Sequence, residues 1–224
     1  MKKITSIDAY DLLLKDINDD QDLSKLKWLN HCIYTANGAE RIAKKLNLDS
    51  DYAKALGFIH DIGRKIDQMN HTIAGYNYMK EQGYEEEGRI CLTHSFIDND
   101  ILITAGGGPE KIETYKFIKE YLSNKPANIY DNIVQMCDLF CSENDFTTIE
   151  KRLLDITKRK GVYPNSKLHL EKTYELKERL EKMMECNLYD LFPEIKEEDI
   201  KTKETDYQEL LDLVQHPNKE LIVD

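Results

Sequence analysis

A chain of 224 residues with 41% hydrophobic and 33% charged content can bury a substantial core, and one compact domain, with or without an appendage, is the default. The formal net charge of −11, from 42 acidic against 31 basic residues, argues against a surface that grips nucleic-acid backbone. A small phosphate ester stays admissible, because a metal and one arginine reverse the sign locally. No run of about 18 apolar residues occurs, and the opening MKKITSIDAY lacks an apolar stretch, so the chain is expected to be neither secreted nor membrane-spanning. Five cysteines form no C-x-x-C pair, and Cys32, Cys91, Cys137 and Cys141 sit in apolar stretches, which fits a reducing cytoplasm.

The absence of proline before Pro109 and of any long period-2 strand predicts an all-α fold. Ser24 is read as the N-cap of a helix from about Lys25 to Leu46, in which His31 shares a row with Thr35, Gly38 and Ile42. The small members of that row let a neighbouring helix or a bound group approach. A second helix, about Asp51 to Ile62, is apolar nearly all round, presents His60-Asp61 from a buried position, and is expected to stop at Gly63. A third spans about His71 to Gln82, and a fourth, about Glu85 to Ile97, carries His94. The turn Gly106-Gly107-Gly108-Pro109 is read as a surface loop that could border a pocket. Further helices are expected at about Lys111 to Leu122, Ala127 to Ser142, Thr147 to Arg159 and Lys167 to Cys186, with a short amphipathic piece around Tyr207 to Val214.

Four of the six histidines and two aspartates form an ordered series: His31, His60-Asp61, His71, His94 and Asp138. Imidazole and carboxylate hold first-row transition metals, and a series of such residues drawn from apolar helices asks for a metal. Asp138 is the most telling, since an ionised carboxylate within IVQMCDLFC is costly unless paired or bound to a cation. His169 and His216, in Lys- and Glu-rich surroundings, are expected at the solvated surface.

The segment FIHDIGRK, with His31 upstream and Asp138 downstream, resembles the HD-domain metal-dependent phosphohydrolases over about residues 20 to 145. His71 in NHTIAGYNYM and His94 in CLTHSF match positions where binuclear members place ligands for a second metal; the closest resemblance is to bacterial HD proteins that split symmetrical dinucleoside tetraphosphates. The resemblance implies an HD-domain helical bundle over residues 1–190 and an acidic C-terminal helical extension, 191–224, packed on it or trailing from it. It implies two divalent transition-metal ions, iron or manganese before nickel, cobalt or zinc, held by His31, His60, Asp61, His71, His94 and Asp138. Asp61 is then the bridging ligand, and a hydroxide shared by the metals attacks phosphorus. Arg64 is the expected catalytic phosphate contact, with Lys65 and Thr35 as further substrate-binding candidates. The implied partner is a small phosphorylated substrate of nucleotide type, with no nucleic acid and no membrane; a homodimer is left open. Two other readings stand beside this: an HD-fold di-iron oxygenase, which uses the same six ligands, and a metal-stabilised binding module without turnover.

Overall fold

The computed structural model describes residues 3–15, 17, 23–105, 109, 111–217 and 222. Among these residues the chain is all-α: ten helices joined by turns, and no strand beyond two isolated bridges. The helices are α1 (Ser6–Leu14), α2 (Leu23–Lys45), α3 (Ser50–Ile59), α4 (His71–Glu81), α5 (Glu85–Thr93), α6 (Ile112–Asn124), α7 (Ile129–Asp138), α8 (Ile149–Lys160), α9 (Ser166–Met184) and α10 (Glu197–Gln215). Short 3₁₀ turns at Ile62–Lys65, Ile97–Asn99 and Leu188–Leu191 complete the list. No helix among the described residues is long and apolar enough to cross a membrane.

Local chemistry sets the helix starts. Thr5 and Asp8 form a reciprocal capping pair at α1, and Asn128 and Asp131 form another at α7, each satisfying backbone donors the first turn leaves orphaned. Asp49 caps α3 by accepting from the Tyr52 N–H at 3.0 Å. Gly83, at φ +86°, turns the chain between α4 and α5 in a conformation that other residues adopt at a steric cost.

The core is centred on α2, α3 and α7, which bury Cys32, Ala36, Ala39, Ile59, Ile133 and Cys137 completely. Small residues allow the close approaches there. A Cβ on Gly57 would lie 2.5 Å from the Ala36 Cα, and one on Gly38 would meet the Cys137 sulfur at 3.1 Å. The α2 row of small residues therefore receives neighbouring helices. The α8–α10 layer packs on this core through α9 and holds itself together with a buried carboxylate: Glu150 accepts from the Tyr174 hydroxyl at 2.8 Å and the Tyr189 hydroxyl at 2.9 Å. Leu210 of α10 is buried, and Tyr207 meets Tyr174 edge-on at 5.3 Å, so the C-terminal helix lies against α8 and α9.

Several boundaries differ from the sequence expectation. The helix carrying the His-Asp doublet ends at Ile59, with His60 as its C-cap, and Gly63 falls inside the following 3₁₀ turn. Gly63 is needed there for proximity: a Cβ would lie 1.9 Å from the His71 carbonyl oxygen and 2.5 Å from the Gly75 nitrogen. α5 likewise ends at Thr93, with His94 as its C-cap, and α10 is far longer than the short piece expected. α2 begins at Leu23, so Ser24 lies within its first turn. Gly106, Gly107 and Gly108 lie outside the described residues.

Candidate metal centre

Helix termini converge on one buried point. His31 projects from the middle of α2, Asp138 is the last residue of α7, and His60 and His94 cap the C-termini of α3 and α5, while His71 opens α4. Residues at helix ends have backbone freedom that mid-helix residues lack, which lets Asp61, at φ −107°, turn its carboxylate out of the helical path. Trp28, the chain's one tryptophan, donates from Nε1 to the Asp61 carbonyl oxygen at 3.1 Å and fixes that turn.

The six side chains fall into two triads, His31–His60–Asp138 and Asp61–His71–His94, each with one nitrogen or oxygen per residue within 4.8 Å of the other two. In the first, His31 Nε2 is 2.9 Å from Asp138 Oδ1 and 3.3 Å from His60 Nε2. In the second, Nε2 of His71 and Nε2 of His94 are each 3.3 Å from Asp61 Oδ1. Asp61 links the two, because its Oδ2 lies 3.9 Å from His60 Nε2.

These residues fit a divalent cation by several independent features. Nδ1 of His31, His60 and His94 faces the carbonyl oxygens of Cys141, Gly57 and Ile90 at 3.1, 2.7 and 3.1 Å, which favours the tautomer with Nε2 free to ligate. Asp61 Oδ1 and both nitrogens of His71 are buried without a hydrogen-bond partner, a costly arrangement that a cation relieves. Burial holds the His60 pKa down at about 4 and that of His71 at about 3, so both imidazoles are neutral at pH 7, the form that binds metal. For His94 burial also works downward, but Asp61 outweighs it and raises the pKa. Burial alone would raise the Asp61 pKa; Arg64, then the imidazoles of His71 and His60, override it and keep the carboxylate ionised. Asp138 is held low in the same way, with His31 opposing burial.

The site opens where its side chains keep solvent contact: Asp138 is 27% exposed, Arg64 23% and His71 17%, whereas His60 is fully buried. Arg64 stands at this opening with its Nε donating to Asp61 Oδ2. Its terminal nitrogens carry no hydrogen bond among the described residues, so one guanidinium holds the linking carboxylate and still faces the mouth.

Lys65 and Thr35 are not brought into the cluster. The Lys65 ammonium donates to the carbonyl oxygens of Leu12 and Lys15 at 2.8 and 3.3 Å, closing the end of α1, and lies over the Tyr78 ring. Alternation around a 3₁₀ turn sends Arg64 and its neighbour in different directions. Thr35 is fully buried at the helix interface beside Cys141. His169, expected at the surface, is 5% exposed and lines a cavity of about 20 Å³ with Thr157, Ser166 and Leu210. His216 is exposed.

Three supports escaped the sequence reading: Trp28, Cys91 and Gln135. The Cys91 thiol donates to the Ile59 carbonyl oxygen at 3.2 Å, beside the doublet. The Gln135 amide donates to the carbonyl oxygens of Thr93 and Phe96 at 2.9 and 2.8 Å, on either side of His94. The apolar segment around Gln135 carries a single uncharged polar residue, and that contrast is the signal available in the sequence.

Two His/Asp triads are thus gathered at the helix ends of an all-α bundle. Residues 28–142, just over half of the chain, match the HD domain, and the chain belongs to that family. Fifty residues, 21% of this chain, are 46% identical to "Ribonuclease Y" of Ureaplasma parvum serovar 3 (strain ATCC 27815 / 27 / NCTC 11736). A 61-residue stretch, 26% of the chain, is 38% identical to "Ribonuclease Y" of Malacoplasma penetrans (strain HF-2). The matches span 11% and 13% of the length of those relatives. No solved structure matches the chain.

Proposed function

We propose that this protein hydrolyses a phosphate ester or anhydride of a small nucleotide-like substrate, in the manner of the HD proteins that split symmetrical dinucleoside tetraphosphates. The observation that carries the reading is the linking position of Asp61, whose two oxygens address different triads. The proposed ligands are His31, His60 and Asp138 for one divalent ion and His71 and His94 for another, with Asp61 shared. Two such ions, when bound, would supply an acidified water and offset charge on phosphoryl oxygens. The residues of the chain do the rest. Arg64 holds Asp61 in place and offers its terminal nitrogens to the phosphate at the open side, where they offset charge as it develops. The backbone carbonyls of Cys141, Gly57 and Ile90 fix the imidazole orientations, so the site needs little reorganisation when substrate arrives.

A small substrate is preferred over RNA, despite the name of the partial relatives, because a formal charge of −11 opposes a long phosphate backbone while leaving room for one local cationic pocket. Cytoplasmic location belongs to the same proposal. The test is metal analysis of the purified protein, followed by a nucleotide panel assayed anaerobically with added Mn(II) or Fe(II). Two metals per chain and anaerobic turnover of a phosphate compound are expected. Oxygen consumption without anaerobic hydrolysis would place the chain among the di-iron oxygenases, and loaded protein with neither activity would make it a binding module.

A further inference from the structure

The segment that carries His94 continues into a serine that belongs to neither triad. Residues 92–97 are buried at every position except Ser95, which is partly exposed. Its hydroxyl oxygen lies 2.9 Å from Nε2 of His94, the nitrogen that stands 3.3 Å from Asp61 Oδ1 in the second triad. A residue that touches this nitrogen and still meets solvent stands at an opening of the centre. The turn is also braced. Gln135 donates to the carbonyl oxygens of Thr93 and Phe96, one on each side of the His94-Ser95 pair, so the backbone that carries the hydroxyl is fixed before any ligand arrives. Arg64 donates to Oδ2 of Asp61, whereas His94, with Ser95 upon it, faces Oδ1, so arginine and serine lie to either side of the linking carboxylate.

The proton positions decide what the hydroxyl does. Nδ1 of His94 faces the Ile90 carbonyl oxygen at 3.1 Å, which only accepts, so Nδ1 carries the hydrogen and Nε2 offers its lone pair. In this structure the Ser95 hydroxyl donates to that lone pair, and it has no other hydrogen-bond partner among the described residues. A cation held by Asp61, His71 and His94 uses the same lone pair, because an imidazole nitrogen has no second one. Filling the triad therefore frees an O–H donor beside a cationic site. An anionic oxygen is the acceptor best matched to it, since charge-assisted hydrogen bonds are about twice as strong as neutral ones. We propose that Ser95 is a substrate-binding residue, whose hydroxyl, with the second triad occupied, donates to an oxygen of the phosphate that Arg64 holds. This rests on the phosphohydrolase reading and adds a residue to its phosphate-binding set.

The test is a Mn(II) titration of the metal-free full chain, which gives the affinity of each site, followed by calorimetric titration of the loaded protein with orthophosphate. Ser95→Ala should weaken orthophosphate by about ten-fold, as expected for loss of one hydrogen bond to a charged group. The same variant should bind Mn(II) no more weakly than wild type, because the competitor for His94 Nε2 is gone. Ser95→Thr keeps the hydroxyl and should stay within about three-fold of wild type for orthophosphate, which separates loss of the donor from damage to the turn. Unchanged phosphate affinity in Ser95→Ala, or equal losses in the alanine and threonine variants, overturns the assignment. So does weaker Mn(II) binding by the alanine variant, which would make the hydroxyl a support for His94. In each of these cases wild-type hydrolysis of a nucleotide keeps the broader reading intact. A loaded wild type that binds no orthophosphate and hydrolyses no phosphate compound overturns both.

Discussion

In the His31–His60–Asp138 triad both imidazoles are anchored through Nδ1 to backbone carbonyls, and His31 already meets Asp138 at 2.9 Å; in the Asp61–His71–His94 triad His71 has no hydrogen-bond partner on either nitrogen. The first triad draws its ligands from α2 and α7 in the centre of the core, where Ile133, Cys137 and Ala36 are fully buried. The second draws His71 from the start of α4, which is held close to the doublet by the Gly63–Gly75 contact. Rigidity of this kind governs affinity, because a ligand that is already oriented loses little entropy on binding. The first triad is therefore the proposed tight site, and the second the weaker one.

Removing the residue that belongs to both halves has the largest expected effect. Asp61→Ala should abolish turnover and take metal content from two per chain to near zero, measured by elemental analysis on folded, monodisperse protein. A variant that still holds two ions would break the comparison at its root, since Asp61 would then link nothing.

The next effect separates the halves. His71→Ala should leave about one metal per chain and lower turnover by about 10²-fold or more, whereas His31→Ala should lose the tight ion and with it all activity. Dialysis of wild type against graded chelator sharpens the same point: the first ion should leave well before the second. Two ions lost together, or His71→Ala emptying both triads, would show the sites to be equivalent.

Arg64 touches the second half without being one of its ligands. Arg64→Ala should keep both metals yet lower kcat/KM by about 10²-fold, as for one contact made chiefly in the transition state. Lysine should recover part of this, because an ammonium offers no planar two-point contact. Loss of metal in the alanine variant would instead make its hold on Asp61 the dominant role.

What the sequence makes legible is governed by the range of the forces involved. The six residues of the two triads stand out because ligand chemistry is a property of residue type, and the helices that carry them have apolar stripes readable within a few turns. The true end of α3 is not legible locally: Ala55 to Ile59 is apolar without a break and Ile62 resumes the pattern beyond His60 and Asp61, yet the helix stops at Ile59 where α4 approaches through Gly63 and Gly75, far along the chain. Adjacency to Arg64 in sequence likewise says nothing of the α1 carbonyls to which the Lys65 ammonium donates. His169 had a local signal that its charged surroundings mask, because Leu170, Thr173 and Leu176 form a buried stripe beside it.

His169 lies outside both triads, so its smallest effect also checks that the comparison concerns metal and not packing. Burial holds its pKa at about 4, below the ordinary histidine value of 6.5. Above pH 6.5 the ring is neutral in folded and unfolded chains alike and titration contributes nothing. As pH falls from 6.5 towards 4 the unfolded chain takes up a proton that the folded chain refuses, and stability is lost at up to about 1.4 kcal/mol per pH unit. By pH 5 the loss reaches about 2 kcal/mol, and below about pH 4 it levels off near 3 kcal/mol. His169→Gln removes this titration while keeping a polar side chain of similar reach in the small cavity. Its denaturant midpoint, compared with wild type in metal-free protein, should show a gap at pH 7.5 that shifts in favour of the variant by about 2 kcal/mol at pH 5. Metal content at pH 7.5 should be unchanged. A gap that stays constant between the two pH values would mean that the folded ring protonates as readily as the unfolded one, and that His169 is hydrated where the structure places it among Thr157, Leu170 and Leu210.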